Sequence, residues 1–253
     1  MPANESQAQR LVAVLRRTPP LVLPMLVLSV GLVTAGSVAV RGIRTAADTI
    51  TVTGASTERI TSDYVDWTVD VSSNGSSQQE AYQALLPQVQ RTLAFLKAQK
   101  VPQEAIELGV IQSSSEDVRN RVTGALITTR WTTRQPILIG SKDVTLIHNV
   151  SRQIGDLVGQ GVPISIRPPA YTFTRLSEKR VDMLAKATAD AKRRASAIAQ
   201  QAGSGIGAIT QADTGTFQIT VPNSTSMSSY GSYDTSTISK DITAVMGVTF
   251  RVQ

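Results

Sequence analysis

The chain has 253 residues, no cysteine and one histidine, which excludes thiol chemistry, iron–sulfur clusters and Cys/His zinc sites. A serine–histidine–acid triad would have to use His148. Lysine and arginine number 25 against 19 acidic residues, a net charge of +6, but residues 1–44 hold five arginines and one glutamate, which leaves +2 for the remainder. The body is therefore nearly neutral, and this argues against a nucleic-acid partner.

An apolar segment close to the N-terminus predicts a membrane span. Residues 21–40 are polar only at two serines and one threonine, and about 20 such residues match the ~30 Å hydrocarbon core of a bilayer. We assign residues 1–19 to a short cytoplasmic N-terminus and residues 20–42 to a single transmembrane helix. Three arginines precede the span and two follow it, so we expect a bacterial inner-membrane protein whose C-terminal domain is periplasmic or extracytoplasmic.

A cleaved signal peptide is the competing interpretation of this segment. A charged region, an apolar stretch and small residues near Ala35 or Ala39 follow one another in the expected order. We favour the uncleaved anchor, because the apolar run exceeds the usual ~7 to 15 residues of a signal peptide. Both interpretations export the body.

The body, residues 48–253, begins with predicted strands. Residues 49–53 are rich in β-branched side chains, and Gly54 is expected to break this strand. Residues 59–72 predict one long strand whose buried face carries Val65, Trp67, Val69 and Val71. The other face of that strand carries Asp66, Thr68 and Asp70.

Three helices are predicted. A capping box from Ser77 to Glu80 opens the first, in which Pro87 is expected to cause a kink or a break. The second begins after the N-cap Asp143. The third, residues 176–202, has an alanine-rich stripe that favours close packing on a sheet, formed by Val181, Leu184, Ala185, Thr188, Ala191, Ala195, Ile198, Ala199 and Ala202.

Further strands alternate with these helices without regular βαβ repetition. They are residues 106–113, 125–139 with Pro136 at an edge or bulge, 164–174 interrupted by two prolines, 208–212, 216–221 and 242–252. The last two are expected to form a hairpin around a flexible loop, residues 222–239, which is either a contact surface or disordered. The pattern predicts an α+β domain, a mainly antiparallel sheet packed by three helices.

The sequence resembles the SIMPL domain family of bacterial envelope proteins over about residues 48–253, and within it a membrane-anchored subgroup. The resemblance rests on Tyr171-Thr172-Phe173, on the helix pattern A-x-x-D-A-[KR]-x-[KR]-A-x-x-[IL]-A at residues 187–199, and on Gly203 and Ile206-Gly207. The opening residues 50–72, and Phe217–Thr220, Asn223–Thr225 and Asp241–Val245, also match. Pro87 and Gly155 depart from the pattern.

The resemblance implies an α+β fold and, for some members, assembly into ring-like or channel-like oligomers. It supplies no catalytic residue set, so it assigns no catalytic, cofactor-binding or metal-binding residue and no cofactor to this chain.

Several residues invite a functional interpretation that their context weakens. Asp66 and Asp70 share a strand face that could bind a hard cation, whereas Asp63 points the other way. The basic run Lys192-Arg193-Arg194, with Lys179, Arg180 and Lys186, could bind phosphate, but nearby acids favour a solvated face. We interpret His148, Trp67 and Trp131 as structural, and reject residues 203–207 as a phosphate loop because they follow a helix.

The leading hypothesis is a non-enzymatic, self-assembling scaffold of the cell envelope, linked to stress protection. Under this hypothesis, the protein is a homo-oligomer that its N-terminal helix holds to the membrane. The alternative is a ligand-binding or cation-binding, even hydrolytic, module that uses the acidic strand face around Asp66 and Asp70. The sequence names neither a small-molecule ligand nor the number of subunits.

Overall fold

The computed structural model describes Met25 and residues 28–36, 48–225 and 231–253. Residues 28–36 are helical. Among the described residues, no helix combines the length and the apolar composition needed to cross a membrane. The predicted N-terminus, residues 1–19, and most of the predicted span, residues 20–42, lie outside the described residues.

The described body contains nine strands and four α-helices. In chain order they are β1 (Thr49–Thr61), β2 (Tyr64–Gly75), α1 (Gln78–Ala98), β3 (Ile106–Leu108), β4 (Gln112–Arg119), β5 (Leu126–Ser141), α2 (Val144–Gln153), α3 (Gly155–Gly159), β6 (Ile164–Ile166), β7 (Ala170–Thr172), α4 (Leu176–Gln201), β8 (Ile206–Thr220) and β9 (Ser239–Val252). A single 3₁₀ turn, Gln103–Ala105, leads into β3. The mixed α and β content and the mainly antiparallel pairing confirm the coarse part of the predicted fold class, but the described strands form two sheets rather than one.

Two compact units make up the chain. The larger comprises residues 53–192 and 213–247, and the smaller comprises the described residues up to Val52 together with 193–212 and 248–253. In the smaller unit the residue before β8 meets the last residue of the chain, since Gly205 and Gln253 exchange two backbone hydrogen bonds of 2.9 Å. The candidate sites lie in the larger unit.

A six-stranded sheet of the larger unit has the order β3-β5-β2-β6, with β4 also pairing with β5 and β7 also pairing with β2. The central pair is antiparallel and sets Trp67 opposite Ile139. The predicted apolar face of β2 is buried, because α1 and α2 cover it and add Leu85, Leu96 and Ile147 to the core. Alternation along β2 therefore identified the core face correctly.

A three-stranded sheet has the order β1-β9-β8. The adjacent positions of β8 and β9 confirm that these strands are neighbours across the loop. A second core includes Met183 of α4, Ile60 of β1 and Ile242 of β9. The predicted strands 208–212 and 216–221 are one strand, β8.

The first strands differ from the prediction. β1 runs through Gly54 without a break, and the predicted strand 59–72 is divided by a corner at Ser62 and Asp63. The corner is held by backbone hydrogen bonds from Ser62 to Ile238 and from Asp63 to Thr172, of 2.8 and 3.0 Å. These partners are distant in sequence, so periodicity could not reveal the corner.

The helices also differ in detail. α1 is continuous through Pro87, and Ser77 caps it by accepting a hydrogen bond from Glu80 N. The second predicted helix is two helices, α2 and α3, which meet at Ile154 and Gly155, so the described body has four helices rather than three. The buried row of α4 is Met183, Ala187, Ala191, Ala195 and Ala199, whereas Val181 and Ile198 of the predicted stripe are exposed.

Pro136 lies in β5, opposite the break between β3 and β4. Gly109 N donates to Pro136 O at 2.8 Å, but proline has no N–H to return the second bond of the pair. The side-chain amide of Gln135 instead donates to Gly109 O at 3.1 Å. The edge prediction is wrong, because β5 pairs on both sides, and the irregularity lies in the neighbouring strand.

Candidate functional site

The end of the β4–β5 hairpin is exposed on both faces. β2 ends where Gly75 lies opposite Trp131, so beyond that point the sheet has only two strands. We call residues 116–130 the hairpin arm. Among them only Val118 and Thr129 are half-buried, and the others are exposed.

The turn of the hairpin arm is locally well formed. Asn120 Oδ1 accepts hydrogen bonds from Val122 N and Thr123 N, at 2.8 and 3.1 Å. Gly124 has a positive φ of 69°, which a glycine adopts without strain. Apolar side chains nevertheless point outward: Val122 is 93% exposed, and the neighbours Leu126 and Ile127, on opposite faces, are 53% and 63% exposed.

An acidic groove of about 260 Å³ lies on the face of the six-stranded sheet opposite α1 and α2. Asp66 lines it, as predicted for the outer face of β2, together with Glu104 and Glu107. None of these three carboxylates makes an ion pair with the described residues. In the same part of the chain, no three His, Cys, Asp or Glu side chains converge as metal ligands.

The structure does not bring Asp70 together with Asp66. The Asp70 carboxylate is 7% exposed and lies 3.3 Å from the guanidinium of Arg167 and 3.9 Å from that of Arg134. Two arginines therefore compensate its charge. Asp63 lies apart from both, as predicted: it accepts hydrogen bonds from Thr174 N and Oγ1, at 2.7 and 3.1 Å.

Sequence reasoning missed Glu104 and Glu107. Glu104 lies in the turn before β3, and Glu107 lies in β3 itself. The predicted strand 106–113 gave no sign that either residue lies near Asp66, because that depends on the pairing of β3 with β5. The pairing of Glu107 opposite Leu138 places its side chain on the acidic face.

The predicted basic face of α4 is compensated by acids. Lys179 and Lys186 each contact both Glu58 and Asp182. Hydrogen bonds from Lys179 and Lys186 lower the pKa of Glu58. Arg180 stacks over Phe217, with its guanidinium carbon 4.8 Å from the ring centroid. Lys192-Arg193-Arg194 is exposed, so these cations form a solvated face rather than a phosphate cradle.

The single histidine forms part of the packing. His148 Nδ1 lies 2.7 Å from the hydroxyl of Tyr171, whose pKa is raised by burial. Trp67 is 2% exposed and donates its indole N–H to Arg167 O at 2.9 Å, while Trp131 is half-buried. Both observations agree with the structural interpretation of these residues.

Gly203 and the described part of the loop 222–239 have structural roles. Gly203 has a φ of 73°, as predicted for a residue that ends a helix. Residues 231–238 are held by backbone hydrogen bonds, including Tyr171 N to Thr235 O at 2.8 Å. Residues 226–230 lie outside the described residues.

A buried ion pair links this loop to β9, and the sequence did not reveal it. Lys240 is completely buried, and its Nζ lies 2.9 Å from Asp234 Oδ2. The same carboxylate accepts hydrogen bonds from the hydroxyls and backbone N–H groups of Ser236 and Thr237.

The sequence model of the SIMPL family, described as a protein of unknown function (DUF541), matches residues 50–250. No curated protein matches the chain. The matched segment runs from β1 through β9 and includes both cores and the α4 helix. Because the match covers most of the chain, this protein belongs to the SIMPL family.

Proposed function

We propose that this protein is a non-enzymatic scaffold of the cell envelope whose extracytoplasmic domain self-associates through the hairpin arm. In this proposal the predicted helix 20–42 anchors it to the membrane. The observation that carries the assembly step is the exposure of the hairpin arm on both faces.

The physical argument concerns the stability of two-stranded sheets. An isolated two-stranded hairpin is marginally stable in water, and three or more strands with a covered face are needed for independent stability. The hairpin arm carries Leu126 and Ile127 on opposite faces, and both are more than half exposed. Contact with other copies of the chain would remove this apolar surface from water.

The arrangement of charges favours a protein contact. Asp117 Oδ1 accepts from Thr129 Oγ1 at 2.9 Å, and its other oxygen accepts from Arg119 at 3.0 Å. The bond to Thr129 joins β4 to β5, the bond to Arg119 lies within β4, and both leave the apolar side chains available. The site itself gives no support to the hydrolytic alternative. The Asp70 carboxylate is paired with two arginines and does not lie together with the Asp66 carboxylate.

Light scattering of the full chain in detergent tests the proposal. We expect a discrete oligomer. Replacing residues 118–128 by Asn-Gly joins the opposed residues Asp117 and Thr129 by a two-residue turn. This shortened variant should be monomeric and keep the thermal stability of the parent.

The matched control is Val181→Ser, which removes an exposed valine from α4 and should leave the oligomer unchanged. A parent chain that stays monomeric at high concentration would contradict self-association. An oligomer that persists in the shortened variant would contradict the role of the hairpin arm.

A further inference from the structure

The strand β3 leaves one side of its backbone without a partner strand. β3 lies at one end of the order β3-β5-β2-β6 and pairs, among the described strands, with β5. Gly109 N donates to Pro136 O, so the backbone of Gly109 faces β5. Backbone groups alternate in direction along an antiparallel strand, so those of Leu108, the last residue of β3, face away from β5.

An apolar groove follows this free edge on the side of α1. It has a volume of about 550 Å³, and apolar and long side chains of β3 and α1 form its walls. The residues that line it are Gln90, Leu93, Ala94, Lys97, Val101, Gln103, Ile106 and Leu108. Leu108 is 47% exposed there, and Val110, just beyond it, is 80% exposed.

The acidic groove follows the same edge on the opposite face. Ile106 and Leu108 line the apolar groove, whereas Glu107, between them in β3, lines the acidic groove with Asp66 and Glu104. The two faces of one free strand edge therefore differ in chemistry. One accepts apolar groups, and the other carries negative charge that no described cation pairs with.

We propose that the β3 edge binds an extended segment of a partner protein in which apolar and basic residues alternate. Such a segment adds a strand to the sheet, with main-chain hydrogen bonds to Leu108. Because side chains of a strand alternate between faces, its apolar residues enter the groove beside α1. Its lysines or arginines then meet Asp66, Glu104 and Glu107.

Charge complementarity selects this occupant over a second copy of the chain. Pairing of two β3 edges would bring the acidic grooves of both copies to one face and set like charges close together, which is unfavourable. A segment with lysine or arginine at every second position instead supplies the opposite charge. The three carboxylates are spread along the groove rather than converging, which suits successive side chains of a strand.

The probe is a fluorescently labelled eight-residue peptide in which valine and lysine alternate. Its binding to the full chain in detergent is measured by fluorescence anisotropy. We expect it to bind at least about tenfold more tightly than a peptide of the same composition in two blocks, or one in which valine alternates with glutamate. Higher salt should weaken binding, because the acidic groove is solvent-accessible.

Two variants, one single and one double, test the two parts of the proposal. Leu108→Pro removes the outward N–H and leaves the bonds between β3 and β5, so it should weaken binding by about tenfold or more. Glu104→Gln with Glu107→Gln should weaken binding of the valine–lysine peptide by roughly three- to tenfold. Glu116→Gln, on β4 at the same side of β5, is the matched control and should change nothing. All variants are assayed in the same detergent, so the anisotropy that remains when the β3 edge is altered reports binding of the peptide to micelles.

If Leu108→Pro does not fold, a modified peptide tests the same main-chain hydrogen bonds. N-methylation of alternate residues removes the peptide donors on one edge without changing the protein, and should give the same loss. Hydrogen exchange should show new protection at Leu108 when the valine–lysine peptide is bound.

Three results would overturn the proposal. They are equal binding of the alternating and block peptides, equal binding of the glutamate peptide, and protection located away from residues 106–110. Chain association that Leu108→Pro abolishes, without any peptide binding, would show that a second copy occupies this edge instead. Leu108→Pro and the double variant at Glu104 and Glu107 leave the hairpin arm unaltered, so failure here leaves the assembly proposal standing.

Discussion

At the scale of single residues, the pair formed by Asp234 and Lys240 determines much of the local stability. Lys240 is fully buried, and its Nζ lies 2.9 Å from the carboxylate of Asp234. Burial opposes ionisation of Asp234, but hydrogen bonds from Ser236, Thr237 and Lys240 outweigh it and hold the pKa below its ordinary value. The carboxylate therefore stays charged in the folded protein at neutral and mildly acidic pH.

Removing this carboxylate should destabilise the protein in a pH-dependent way. We expect Asp234→Asn to lower the free energy of unfolding at pH 7 by about 3 kcal/mol, because it leaves a buried ammonium group without its counter-charge. The pKa of Asp234 is lower in the folded protein than in the unfolded chain, where it is about 4. The stabilisation by its charge is therefore complete well above pH 4, and it is lost progressively as the pH falls below 4 towards the folded pKa. Denaturant unfolding of both proteins between pH 7 and pH 3 measures the difference.

The difference between Asp234→Asn and the parent should narrow in acid. The control is Asp66→Asn, which removes an exposed carboxylate without an ion pair among the described residues and should have little effect. A loss of stability that is the same at every pH would show that the charge of Asp234 is unimportant.

At the scale of elements, the close approach of α4 to β1 depends on small residues. A Cβ atom added at Gly54 would lie 2.1 Å from Ala187 O and 2.5 Å from Ala191 N, both backbone atoms of α4. Ala55 N also donates to Asp190 Oδ2 at 3.1 Å. The glycine therefore serves helix packing rather than a strand break, and a bulkier side chain would require α4 to move.

Gly54→Ala should destabilise the protein by about 1 to 3 kcal/mol, because the added methyl group overlaps a backbone that cannot rotate away. Urea unfolding measures the change. Gly155→Ala is the matched control: nothing lies within 4 Å of its added Cβ, and it should be neutral or stabilising by about 0.4 to 1 kcal/mol. Equal effects of the two substitutions would disprove the close-packing argument.

At the scale of the whole molecule, the proposed topology can be tested with introduced thiols, because the chain has no cysteine. Val181 is 70% exposed on α4, and Ser6 lies in the predicted cytoplasmic segment. We expect a membrane-impermeant maleimide to label Val181→Cys on intact spheroplasts and Ser6→Cys only after lysis. Labelling of Ser6→Cys before lysis, or of Val181→Cys only after it, would contradict the export of the body.

The sequence by itself determined what depends on neighbouring residues. The buried face of β2 follows from alternation, and the starts of α1 and α2 follow from the caps Ser77 and Asp143. The alanine content of α4 indicated close packing, although the exact buried row did not follow from it. These features are local, so a pattern of a few residues specifies them.

Only the tertiary structure decided which charged groups meet. Asp66 and Asp70 look equivalent in β2, yet Asp70 is paired with Arg134 of β5 and with Arg167, which follows β6. Asp66 instead shares a groove with Glu104 and Glu107. The corner at Ser62 and the free edge of β3 likewise depend on strands far apart in the chain. Pairing between distant strands sets these contacts, and no short-range periodicity encodes it.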